Sequence, residues 1–505
     1  MRMKFALKGL VLAVAAVTLT ACSGGVVPEP TKSPEAVPAE YQPYYSQTLE
    51  WTECHDGMQC ATAIAPLDWN KPTGETIELA LVRHPATSSK KLGSLFVNPG
   101  GPGASGVSFI ADSLDYAVSG AVQKNYDVIG FDPRGVGAST PVVCVDSAAQ
   151  MDEFLFGTLD AVRESPEWFA QRGAASKEFA DGCAQRTGEL LAHVDTVSAA
   201  HDLDMLRATV GDRELNYLGY SYGTLLGAIY AENFPGNVGR MVLDGALDPS
   251  SSSFDVNLTQ AVGFENALRA YLKDCLEGSD CPFSGSVDSA MTQIGDLLAG
   301  LDQSPITASD GRMLSSDAML TAIIAPLYNK DAWSYLSDVF TAVFDGDADP
   351  AFGAVDWYYN RSEDGTYSDN STESFLAINC LDYPVNSDPA QWASDAKVLA
   401  DKAPVIGPYL SYGDQLCSEW PYKAVMTPQK VSAQGAGDIL VIGTTGDPAT
   451  PYRWAKALAA QLEGGHLISY TGQGHTAYNK SNACVNDAVD GFLLRGKVPA
   501  QDPKC

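Results

Sequence analysis

Ser221 stands at the centre of Gly219-Tyr220-Ser221-Tyr222-Gly223. On a strand-to-helix turn this G-x-S-x-G pattern lifts one serine hydroxyl clear of the backbone. The flanking glycines let the turn close without a Cβ clash. Glu214 to Leu218 reads as a short buried strand, and Thr224 to Glu232 as a helix packed by small residues. That context separates a nucleophile from a glycine-rich turn that merely contains serine. A serine nucleophile needs a base, and the base needs an orienting acid. Of the six histidines, only His466 and His475 follow Ser221. His466 opens an apolar strand, which suits an edge or core role. His475 lies in the loop after that strand, where parallel sheets place their active groups, and is the candidate base. Asp447 directly follows the apolar run Ile439 to Gly443 and is the candidate acid. A carboxylate there would fix the imidazole tautomer and stabilise its protonated form; the competing reading is a turn aspartate before proline. Thr450 suits either a brace for the Asp447 loop or a turn cap.

A tetrahedral intermediate also needs preorganised N–H donors for its oxyanion. The amide of Tyr222, next after the nucleophile, is one candidate. The second is Gly101, in the stiff, close-approach run Pro99-Gly100-Gly101-Pro102-Gly103.

Short apolar strands must carry these groups. Ser94–Asn98, Tyr126–Phe131, Arg240–Asp244, Asp438–Gly443 and His466–Tyr470 all read as buried strands, and Thr76–Arg83 alternates like an antiparallel edge hairpin. Between about 248 and 430, apolar residues recur at helical spacing and aromatics are frequent. Strand and helix alternate on both sides of that segment. The expected fold is α/β: a mostly parallel central sheet, with a large, mainly helical cap inserted before the last strands. Residues 48–247 and 431–505 form the two parts of an α/β-hydrolase core, whose order of serine, acid, histidine matches Ser221, Asp447, His475.

The N-terminal stretch reads as a targeting signal. Arg2, Lys4 and Lys8 precede the apolar run Gly9 to Leu19, too short for a membrane span. Leu19-Thr20-Ala21-Cys22 resembles a bacterial lipobox, so 1–21 is expected to be removed and Cys22 to carry lipid. Residues 22–47, rich in Pro, Ser, Gly and Glu, read as a flexible tether. The expected location is the outer face of a cell membrane. A net charge of −30, from 62 acidic and 32 basic residues, argues against nucleic acid as a partner. Setting Cys22 aside leaves ten of the eleven cysteines, an even number that suggests disulfides in an exported protein. Sequence proximity would pair Cys54–Cys60, Cys144–Cys183, Cys275–Cys281, Cys380–Cys417 and Cys484–Cys505, although spacing does not fix connectivity. No metal-ligand spacing occurs, and the chemistry calls for no cofactor.

Five motifs in order carry a family resemblance: Asn98–Gly106, Gly130–Gly137, Gly219–Thr224, Gly446–Pro451 and Gly474-His475. Together they resemble the secreted bacterial tripeptidyl aminopeptidases, which belong with the proline iminopeptidases among α/β-hydrolase serine peptidases. The segment from about Leu410 to Cys505 is similar to the tripeptidyl-aminopeptidase-like C-terminal domain. Pro99 stands where proline iminopeptidases usually have histidine, which fits the tripeptidyl group better. The resemblance implies release of short peptides, tripeptides foremost, from free N-termini of peptide or protein substrates. Such an enzyme must hold the substrate's α-ammonium; Asp382 and Glu419, beside Cys380 and Cys417, are candidate carboxylates. The competing expectations are an esterase or lipase of the same fold and a catalytically idle peptide-binding lipoprotein.

Overall fold

The computed structural model describes residues 36–505. Nine strands form one sheet: β1 (Thr52–Cys54), β2 (Met58–Pro66), β3 (Thr76–His84), β4 (Ser94–Asn98), β5 (Asp127–Phe131), β6 (Leu215–Tyr220), β7 (Val238–Asp244), β8 (Ile439–Gly446) and β9 (Gly465–Gln473). Their spatial order is β1-β2-β3-β5-β4-β6-β7-β8-β9. From β5 to β9 every neighbouring pair is parallel, and β1, β2 and β3 add an antiparallel edge. All five residues of β4 and all five of β5 are buried. A strand covered on both faces has no polar face to alternate with, which is why these runs are continuously apolar. β3, with one face less covered, keeps part of its alternation.

The helices that cover the sheet follow its strands. α1 (Gly106–Ala117) leaves the loop after β4. After β5 come α2 (Ala148–Phe156) and α3 (Pro166–Thr187), then α4 (Thr196–Thr209). α5 (Tyr222–Asn233) starts at the residue after Ser221. Phe96, Ile129, Tyr217, Leu243 and Val441 pack on one sheet face with α4 and α5. Val97, Val128, Leu218, Val242 and Ile442 pack on the other, with α1 and the C-terminal helix.

The inserted segment after β7 is helical, as expected, and much of it has its own core. α6 (Ser253–Glu277), α7 (Ser316–Leu327) and α8 (Asp349–Tyr358) bury Phe264, Leu268, Met319, Ile323, Phe352 and Val355 together. Two features depart from the expected boundaries. α9 (Ser371–Asp382) packs with the sheet layer instead, through Ala377, Ile378 and Leu381. Conversely, α2 and α3 pack on the sheet layer through Met151, Phe179 and Cys183 but also bridge to the cap: Phe156 lies in the cap core, Arg361 makes a two-pronged ion pair with Asp152, and Tyr412 stacks edge-on against Trp168.

The expected tether also ends earlier than Gln47. Gln42–Tyr45 is a helical turn whose Tyr44 and Tyr45 are buried, packing with Tyr41 around Trp69. The hydroxyl of Tyr45 donates to Asp204 of α4. Three aromatic rings meeting one indole outweigh the turn-forming composition around them. Cys22 and the expected signal lie outside the described residues. Five disulfides are present: Cys54–Cys60, Cys144–Cys183, Cys275–Cys281, Cys380–Cys417 and Cys484–Cys505.

Candidate active site

Ser221 sits between β6 and α5 with φ 55° and ψ −125°, a conformation that a non-glycine residue adopts only when its surroundings impose it. Those surroundings are tight. A Cβ on Gly219 would lie 2.3 Å from the Gly223 carbonyl oxygen, and one on Gly223 would lie 2.7 Å from Asn98 Oδ1. The backbone N–H of Ser221 donates to the Asp244 carbonyl (2.9 Å), and the hydroxyl of Thr224 donates to the Ser221 carbonyl (2.6 Å).

The candidate base and acid meet directly. His475 Nδ1 lies 3.0 Å from each oxygen of Asp447. The Asp447 side chain is fully buried and that of His475 is 12% exposed. Asp447 Oδ1 also accepts the N–H groups of Ala449 (3.0 Å) and Thr450 (2.9 Å). Its Oδ2 accepts the Thr450 hydroxyl (3.0 Å) and the Thr476 N–H (3.3 Å). The Thr450 hydroxyl thus braces the Asp447 loop; its oxygen is also 3.2 Å from His475 Nδ1. Every group facing the carboxylate is a donor, and this arrangement places the ring proton on Nδ1 and leaves Nε2 free to accept.

Asp244, at the end of β7, ties the histidine loop to the serine turn. Its carbonyl holds Ser221, while its fully buried carboxylate accepts the N–H groups of Ala477 (3.0 Å) and Tyr478 (2.7 Å). Burial raises its pKa, and these hydrogen bonds oppose the rise. No sequence signal marks Asp244, because its partners lie more than 230 positions away.

The loop after β4 closes against the serine turn. The Gly100 N–H donates to Asn98 Oδ1 (2.9 Å), and a Cβ on Gly100 would meet the Tyr220 carbonyl at 2.6 Å and Ser221 Cβ at 2.9 Å. Gly101 is exposed at the crest of this loop. Tyr222 opens its helix and so has no intrahelical acceptor for its N–H. Asp132, from the Asp-Pro-Arg-Gly motif, holds the loop in place: it accepts the Ser105 hydroxyl (2.6 Å) and the N–H groups of Val107 (3.0 Å) and Ala138 (2.8 Å). Arg134 of the same motif is fully buried and grips Asp202 of α4 through two 2.7 Å bonds, so its role is architectural.

The cap roofs the site. The His475 N–H donates to the Tyr328 carbonyl (2.8 Å), and the Tyr328 ring stands edge-on to the imidazole at 5.4 Å. Tyr358 follows at 6.3 Å from Tyr328, and Tyr359 at 5.2 Å from Tyr358. Tyr358 keeps 38% of its surface accessible, yet desolvation holds its phenol pKa above the ordinary value. Desolvation also raises the phenols of Tyr328, Tyr359 and Tyr383, which are likewise partly accessible.

Neither carboxylate expected to bind a substrate ammonium is presented to one. Asp382 is 1% exposed, with one oxygen taken by the N–H of Thr196 and the other by its hydroxyl. The Cys380–Cys417 bond does rigidify it, but within the packed layer under α9. Glu419 is exposed near Lys177, on the outer surface of α3. Among the described residues, Cys54, His55 and Cys60 are the grouping closest to a metal-ligand set, and both sulfurs are consumed by their disulfide.

A serine on a strained strand-to-helix turn, with a buried His–Asp pair on later loops of a parallel sheet, defines a serine hydrolase of the α/β-hydrolase fold. Residues 403–505 match the family described as TAP-like protein. The chain is 36% identical over 489 residues to serine protease Hip1 of Mycobacterium tuberculosis, covering 92% of each chain. It is 36% identical over 495 residues to carboxylesterase B of the same organism, covering 94% of this chain and 93% of that one. With tripeptidyl aminopeptidase of Streptomyces lividans it shares 31% identity over 471 residues, 90% of this chain and 86% of the other. The chain belongs to this family of serine hydrolases and is a tripeptidyl-aminopeptidase-like peptidase.

Proposed function

We propose that the protein is an extracytoplasmic serine exopeptidase that releases short peptides, tripeptides foremost, from free N-termini. Ser221 Oγ attacks the scissile carbonyl carbon while His475 Nε2 takes its proton. The N–H groups of Tyr222 and Gly101 receive the oxyanion, and His475 returns the proton to the leaving amine. Water, deprotonated by His475, then hydrolyses the ester on Ser221 and regenerates the hydroxyl. Asp447 holds the imidazole through Nδ1.

The observation that carries this reading is the tyrosine roof. Tyr328 stands against the imidazole, and Tyr358 and Tyr359 continue the row of rings away from it. A roof set directly against the catalytic imidazole leaves less room for the middle of a long chain than for a chain end. Likeness to tripeptidyl aminopeptidases over most of the chain supports the product length. For location, the five disulfides fit an oxidising compartment, and the lipobox-like Ala21-Cys22 makes Cys22 the lipid-bearing residue.

A second reading, ester hydrolysis, is favoured by the likeness to carboxylesterase B. Assay of a tripeptidyl anilide and a short-chain aryl ester separates the two. The proposal expects anilide hydrolysis that vanishes in Ser221→Ala. Ester hydrolysis with no peptide cleavage overturns it. Cell fractionation of Cys22→Ala checks the anchor, with release of the protein from the membrane expected.

A further inference from the structure

Asp382 does not reach for substrate, but it is one step removed from the reacting atoms. Its two oxygens accept the Thr196 N–H (2.8 Å) and the Thr196 hydroxyl (2.5 Å). The same Thr196 oxygen touches the Tyr222 hydroxyl. Thr196, Tyr222 and Asp382 are 0%, 5% and 1% exposed, so water does not compete for these groups. Tyr222 follows Ser221 directly, and its N–H is the oxyanion donor of the proposed mechanism.

We propose that Asp382 is a positioning residue for the oxyanion hole, acting through Thr196 and the Tyr222 ring. This rests on the reading that Tyr222 N–H serves the oxyanion. Proton counting fixes the direction of the chain. A carboxylate has no proton to give, so the Thr196 hydroxyl donates to Asp382, and the Tyr222 hydroxyl donates to Thr196. Every hydrogen then has an acceptor, and the Tyr222 ring has one orientation. Protonating Asp382, or replacing it by Asn, puts a donor where Thr196 donated and reverses the chain. Preorganised donors lose effect when they are loosened, because catalysis depends on their being aimed in advance.

The helix that carries Asp382 is itself anchored. Asp382 ends α9, two residues after Cys380, whose disulfide to Cys417 fixes that end of the helix. At its other end α9 is stitched to the core: the Ser374 hydroxyl donates to the Gly135 carbonyl (2.7 Å), and Glu373 accepts the Cys144 N–H (2.6 Å). Burial pushes the Asp382 carboxyl up to about 7, opposed by its bonds from Thr196 and reinforced by the charge of Asp195. The other titratable groups facing it are the phenols of Tyr222 and Tyr383, with Asp248 beyond Tyr383. The chain is therefore poised to change polarity near neutral pH.

The test uses the full protein, with active sites titrated by a fluorophosphonate so that rates are per competent enzyme. D382N, Thr196→Val and Tyr222→Phe should each lower kcat for a tripeptidyl anilide by about tenfold with KM little changed. Pairing D382N with Tyr222→Phe should add nothing further. Thr196→Ser, which keeps the hydroxyl, should restore kcat and so separate the bond from packing. The roughly tenfold step in kcat as pH falls through about 7 should be absent in D382N. Unchanged kcat per titrated site in D382N and Thr196→Val overturns the inference, as does D382N impairment that Tyr222→Phe does not share. Failure of the wild type to cleave in a Ser221-dependent way would instead overturn the proposed function.

Discussion

Replacing Asp447 by Asn probes the reasoning at its most specific point. The two carboxylate oxygens differ in their partners. Oδ1 receives two backbone N–H groups, from Ala449 and Thr450, which have no other acceptor nearby. Oδ2 faces the Thr450 hydroxyl, which can turn and accept, and the Thr476 N–H at a longer 3.3 Å. An Asn side chain therefore keeps its oxygen at the Oδ1 position and puts its NH2 at Oδ2. That NH2 then lies 3.0 Å from His475 Nδ1, and its donation there favours the ring proton on Nε2, where the nitrogen no longer accepts from Ser221. The fold loses about 1 kcal/mol, mainly from the unsatisfied Thr476 N–H. Catalysis loses far more: a wrong-tautomer histidine costs about ten-thousandfold in kcat, roughly 5 kcal/mol of barrier. A urea unfolding midpoint measures the first, and steady-state hydrolysis of a tripeptidyl anilide the second. A fall in kcat of less than tenfold, with the fold intact, would refute the assignment of Asp447.

Other consequences follow from contacts already described. Gly100→Ala drives a Cβ to 2.9 Å from Ser221 Cβ in a loop at φ +101°, and should lower kcat at least a hundredfold, checked per titrated site. Arg134→Met strands the Asp202 carboxylate, 1% exposed, with the Trp69 indole N–H as its remaining side-chain partner; a loss of about 3–5 kcal/mol in denaturant unfolding is expected, and less than 1 kcal/mol would count against the buried pair. Asp382 holds a proton in the folded state over a range where the unfolded chain has released it, because its carboxyl is raised from 3.8 to about 7. The stability this contributes is present below about pH 4 and lost as pH rises through about 7. The melting temperature of D382N relative to wild type should accordingly rise between pH 4 and 8. A difference flat with pH would mean that Asp382 is not raised.

The parallel strands themselves were legible because strands buried on both faces leave uninterrupted apolar runs, as in Ser94–Asn98 and Ile439–Gly443. The Ser221 turn was legible because its glycines are sterically obligatory, and the disulfides because near neighbours in sequence pair in every case. What escaped was long-range. α2 and α3 bridge to the cap through partners some 200 positions away, such as Arg361. Asp244 looks like any strand-end aspartate until Ala477 and Tyr478 arrive. Asp382 was expected at the substrate because a nearby cysteine suggested rigidity, but rigidity says nothing about direction. Its carboxylate turns inward to Thr196, a contact spanning 186 positions.

The central claim is exopeptidase chemistry on Ser221, and the products of a mixed peptide pool test it most directly. Mass spectrometry should find tripeptides released from free N-termini, none from N-acetylated copies, and none with Ser221→Ala. Cleavage within peptides, indifferent to the N-terminus, would contradict the account.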